Sequence, residues 1–172
     1  LKLAWSFILN TNTGLLDDIS IDISGREEVN QDISKYLQNL NQSIIKGNYK
    51  PTRPSKFYTP KKSGTSQRIM TCLWTDDLIV YQAIANIIAK LNIDKINEYS
   101  CSHNFGYIVN EVPFKNNKTE TTETFYKPWK EIRTIYEERL KEISNPKLNN
   151  PQEITPKQYK IETDISGFFN SI

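Results

Sequence analysis

Residues 58–89 read YTPKKSGTSQRIMTCLWTDDLIVYQAIANIIA, and the hydrophobic period changes midway along them. Residues 56–59 and 67–72 are rich in Phe, Tyr, Thr, Ile and Met, types that suit a pleated strand. The intervening 61–66, centred on Ser63 and Gly64, is made of turn formers, so the pattern predicts a hairpin. Beyond it, Leu78, Val80, Ala83, Ile84, Ile87, Ile88 and Leu91 recur at helical spacing. Thr75 is placed to cap that helix, and Asp76 and Asp77 suit the positive end of its dipole. So broad an apolar face predicts a mostly buried helix. Strands and helices in this arrangement read as α+β.

Upstream, Ser24 with Glu27 three residues later matches a capping box. Val29, Ile33, Tyr36, Leu37, Leu40 and Ile44 then predict one amphipathic helix that ends at Gly47. Pro51, Pro54 and Pro60 punctuate an extended stretch after it. Residues 1–23 give weak signals and read as an N-terminal extension. Downstream, 100–114 reads as loop with short extended pieces, and the polar 115–124 as an exposed connection. Pro128 opens a helix with Trp129, Ile132, Ile135, Tyr136, Leu140 and Ile143 on one side, and Asn145 with Pro146 ends it. After a loop, Tyr159, Ile161, Thr163 and Ile165 alternate with polar residues, the pattern of a strand. A final strand with no later partner is unusual for a complete domain, so the expectation is a piece of a longer protein.

Composition narrows the function classes. With 172 residues, 37% hydrophobic and 11% aromatic, the chain can bury a core, and wholesale disorder is excluded. No apolar run reaches the roughly 20 residues of a membrane-spanning helix, and no cleavage-site pattern follows the first residues. Cys72, Cys101 and His103 are too few for a zinc site or a disulfide framework, which leads to the expectation of a cytoplasmic setting. The formal charge of +2 conceals a segregation. Residues 33–75 hold eight cations (Lys35, Lys46, Lys50, Arg53, Lys56, Lys61, Lys62, Arg68) and no acid, while the remainder carries 14 basic and 20 acidic residues. Such a segment suits a polyanionic partner, or is a solvated surface that lacks acids.

Two places could carry chemistry. Asp164 lies on the polar face of the last predicted strand. There it could hold a divalent cation in a phosphoryl-transfer site, or cap the next helix. Lys61 and Lys62 enter the hairpin turn and Arg68 leaves it. These could fold over a triphosphate, Lys as point charge and Arg as bidentate fork, or form a solvated tip.

Three blocks, in order, resemble the reverse transcriptase family. Residues 58–89 are similar to its fingers, with a Pro-Lys turn, an Arg on the returning strand and an Asp-led helix. YSCSHNFGYIVN, residues 99–110, resembles the following block, with Phe105, Gly106 and Tyr107 departing in order from its Tyr-Gly-Phe type sequence. IETDISGFFNSI, residues 161–172, resembles the first catalytic block of the palm in retron, group II intron and related bacterial enzymes. Spacing and wording look most like bacterial defence or abortive-infection reverse transcriptases.

The resemblance implies a right-hand polymerase fold, incomplete here: an N-terminal extension and helix over 1–48, fingers over 49–157 and the start of the palm over 158–172. It implies Asp164 as a catalytic, metal-binding aspartate and the Ile165 carbonyl as a further metal ligand, with two Mg²⁺ ions in the complete enzyme. Lys61 or Lys62, with Arg68, would hold the triphosphate, and Phe169 would exclude a 2′-hydroxyl. An RNA template, a DNA or protein primer and dNTPs would be the partners, with no membrane. The family also needs a second block, usually Tyr-x-Asp-Asp, after the first, and this sequence holds none downstream of Asp164. Trp74-Thr75-Asp76-Asp77 imitates it but lies upstream and at a helix start. The alternative expectation is a degenerate module with the same fold that binds nucleic acid without catalysis.

Overall fold

The structure is a computed structural model and describes residues 1–10, 23–60, 67–100, 106 and 108–144. Its elements are α1 (Lys2–Asn10), α2 (Ile23–Gln31), α3 (Ile33–Ile45), β1 (Ser55–Pro60), β2 (Gln67–Cys72), α4 (Thr75–Tyr99), α5 (Val112–Lys115) and α6 (Trp129–Ser144). The class is α+β, predominantly helical, with one two-stranded antiparallel sheet among the described residues.

The hairpin forms where its strand-forming residue types predict it, with β1 reaching one residue beyond 56–59 at each end. Ser55 pairs with Cys72, Phe57 with Met70, Tyr58 with Ile69 and Pro60 with Gln67. A two-stranded sheet is marginal by itself in water, so one face must pack. Phe57, Met70 and Cys72 are half-buried on that face, while the opposite face stays in solvent.

The predicted single helix over 24–46 is two helices. Asp32 leaves helical geometry at φ −152°, ψ 83°, and its carboxylate accepts the Lys35 N–H at 3.0 Å as the cap of α3. A short acidic side chain that can bond the backbone two or three residues on competes with helix continuation. Ser24 falls inside α2, which begins at Ile23, rather than ahead of it. Gly47, at φ +69°, ends the α3 turn in the left-handed region, as expected for a glycine there.

Residues 2–10 are a core element. In α1, Ala4, Trp5 and Ile8 pack with Val29, Leu37, Leu40 and Ile79, while Phe7 packs with Ala89, Val109, Phe114 and Phe125. The helix is too short for a period to stand out, and it is apolar on both sides because it lies between two clusters. Phe7 meets the rings of Phe114 at 5.8 Å and Phe125 at 5.4 Å. Polar bonds tie the same helix to the exposed connection: Asn10 Nδ2 donates to the Thr121 carbonyl at 2.7 Å, and the Thr121 N–H donates to Ser6 Oγ at 3.2 Å.

The helix α4 departs from expectation twice. Its N-cap is Trp74, with extended backbone and no side-chain cap bond, while Thr75 is the first helical residue and is buried. Among the described residues it is also covered on one side only. Ile79, Asn86 and Ala89 face the core, but Ile84, Ile87, Ile88 and Leu91 are exposed by 52–78%. Periodicity shows which residues share a stripe; whether something covers it depends on neighbours far away in sequence. The extended pieces expected near 100–114 appear as Ile108 to Asn110 paired antiparallel with Phe125 to Lys127 around a Val109–Tyr126 bridge. Pro128 precedes α6 as predicted, and the α6 residue Ile132 is buried.

Candidate nucleic-acid interface

Two carboxylates at the start of α4 fix the basic segment. Asp76 accepts the Tyr36 hydroxyl at 2.6 Å. Asp77, buried, accepts the Tyr49 hydroxyl and, at 2.9 Å, the Thr52 N–H. Both also suit the helix dipole. Burial, then the bond to Asp77 and the negative charges of Asp77 and Asp76, push the Tyr49 hydroxyl well above the ordinary tyrosine range. The Asp-Asp pair that imitates a catalytic motif is therefore occupied in joining α3 and the 46–54 segment to α4, as its place at a helix start suggests.

Anchoring the segment by its aromatic and backbone groups leaves its cations outside. Lys46, Lys50, Arg53 and Lys56 are exposed, and none has an ion pair among the described residues. Residues 33–75 themselves carry no carboxylate, and the acids bonded to the segment are Asp76 and Asp77 beneath it. Tyr58 and Ile69, opposite each other in register, are exposed by 62% and 48% on the outward face of the hairpin. The sequence reading used them only as strand formers. Their signal is parity, since Tyr58 is two positions from Lys56 and lies directly across from Ile69.

Of the expected site residues, Arg68 lies in β2 paired with Thr59, on the returning strand of the hairpin. Lys61 and Lys62 belong to the connection between β1 and β2, outside the described residues, as are Asp164, Ile165 and Phe169. Cys101 and His103 also lie outside them, and Cys72 is half-buried, its Sγ 3.7 Å from the Leu73 carbonyl. Among the described residues no group of three or more His, Cys, Asp or Glu side chains could hold a metal ion. No helix among them is long and apolar enough to cross a membrane. Comparison with protein-family models, curated proteins and solved structures yields no match.

Proposed function

We propose that this chain supplies the fingers and the first palm block of an RNA-directed DNA polymerase. The observation that carries the reading is the β1–β2 hairpin, whose connection holds Lys61 and Lys62, whose returning strand holds Arg68, and which leads directly into an Asp-led helix. The exposed cations at 46, 50, 53 and 56 support it, since a polymerase must hold polyanions.

In this reading a primer hydroxyl attacks the α-phosphate of a dNTP, forming a phosphodiester bond and releasing pyrophosphate. Asp164 and the Ile165 carbonyl offer hard oxygen donors, the kind Mg²⁺ takes, and would hold it. When bound, Mg²⁺ supplies charge stabilisation for the attacking and leaving oxygens. Lys61 or Lys62 and Arg68 neutralise and orient the triphosphate, Arg68 as a planar fork. Phe169 packs under the sugar and discriminates against a 2′-hydroxyl.

The test is Asp164→Ala in the complete polymerase, measured by nucleotide incorporation and nucleic-acid binding in parallel. Incorporation should be abolished and binding retained; unchanged incorporation overturns the reading. If the parent binds nucleic acid but never incorporates, the chain is a binding module instead.

A further inference from the structure

The outer face of α4 carries a seam that the core does not use. Tyr81, Ile84, Ile88 and Leu91 follow one another at steps of three, four and three residues, with Ile87 beside them, and all five are exposed. Such spacing lines up the side chains by which two helices pair. The five offer on the order of 500 Å² of apolar surface, so two such faces together reach the roughly 1,000 Å² that a specific contact needs. Charge selects the occupant. Asp77, in line with Ile84 and Leu91, is buried where Tyr49 and Thr52 bond to it, so the 46–54 segment closes the seam at the start of α4. That end sets Lys46, Lys50 and Arg53 against Asp76 and Asp77, one positive charge net. The other end of α4 holds Asp94, Lys95 and Glu98, one negative charge net, and Glu111 beside Asn97 there is paired with Lys115 at 2.7 Å. The seam therefore complements itself when reversed. A parallel pair would set like against like, and an anionic membrane surface would be repelled by Asp94 and Glu98.

We infer that α4 pairs antiparallel with the α4 of a second copy of this chain, Tyr81 meeting Leu91 and Ile84 meeting Ile88 across a two-fold axis, with Asp94 and Glu98 of each copy facing the 46–54 segment of the other. A two-fold contact uses the same patch on both copies, which is what a seam of this symmetry provides. The inference goes beyond the polymerase reading and uses none of its site residues.

Sedimentation velocity of the 172-residue chain across the micromolar range tests it. The parent should show a concentration-dependent monomer–dimer equilibrium. Ile88→Glu and Leu91→Glu should each raise its Kd at least about tenfold. Both positions are exposed, so far-UV circular dichroism should match the parent, and Ile45→Glu, at an exposed position off α4, should leave the Kd unchanged. Asp94→Lys should weaken the dimer, and adding Lys50→Glu should restore it. A chain monomeric throughout, a dimer indifferent to Ile88→Glu and Leu91→Glu, or no rescue by Lys50→Glu would each overturn the antiparallel pair. The complete polymerase should dimerise with the same Ile88 dependence; a monomeric parent would mean that its own further chain covers the seam, and would overturn the pair equally. Asp164→Ala should leave the dimer unchanged. Failure of incorporation therefore bears on the polymerase reading alone, and indifference to Ile88 on the pairing alone.

Discussion

Asp77 is a buried carboxylate with two donors, and its position shows how single residues hold the basic segment in place. A hydrogen bond to a charged group contributes about 1.5–3 kcal/mol. Tyr49→Phe should therefore lower unfolding free energy by about 1–2 kcal/mol in urea titration near neutral pH, the Thr52 bond remaining. The Tyr49 hydroxyl is raised in the folded state, so its stabilisation is complete below about pH 10, the unfolded value. It is lost as pH rises through the folded value, and the gap between parent and variant should narrow in that alkaline range. A gap that stays constant across the range would show that the Asp77 bond is not its source. The sequence shows Asp76 and Asp77 as helix-start residues. It does not show their partners, because Tyr36 and Tyr49 lie 40 and 28 positions away from them and only packing brings the hydroxyls in.

At the scale of elements, the hairpin and α6 were legible because strand-forming residue types, turn formers and Pro128 are local signals. The division between α2 and α3 was not, since Asp32 interrupts a periodicity that otherwise continues across it. The end of α3 depends on Gly47, whose φ of +69° lies in the left-handed region, with nothing within 4 Å of where a Cβ would sit. Gly47→Ala should therefore cost about 1–2 kcal/mol through backbone strain alone, seen as a lowered Tm, and Gly47→Asn should cost less. Equal Tm values for all three proteins would remove the left-handed turn from the account. The exposed stripe of α4 belongs to this scale too: Ile84, Ile88 and Leu91 recur at helical spacing whether or not anything covers them.

Across the whole molecule, α1 and α4 pass through both core clusters, and Phe7 joins α1 to the segment around Phe114 and Phe125. Truncating a fully buried aromatic costs about 3–5 kcal/mol, and small domains have only about 5–15 to lose. Phe7→Ala should sharply lower the denaturation midpoint and weaken the near-UV circular dichroism. Leu9→Ala, at a position 58% exposed, should change little. Equal effects of the two substitutions would mean that α1 does not contribute to the core.

What the sequence determined alone is what depends on neighbours in the chain: the hairpin, the helix after it, the run of eight cations without an acid over 33–75, and the α+β class. Tertiary structure decided that residues 2–10 are core, that Asp76 and Asp77 take up Tyr36 and Tyr49, and that Tyr58 faces water beside Lys56. The reason is physical. Period and capping are set by residues a few positions apart, whereas burial is set by which elements meet, and that is fixed by contacts distant in sequence.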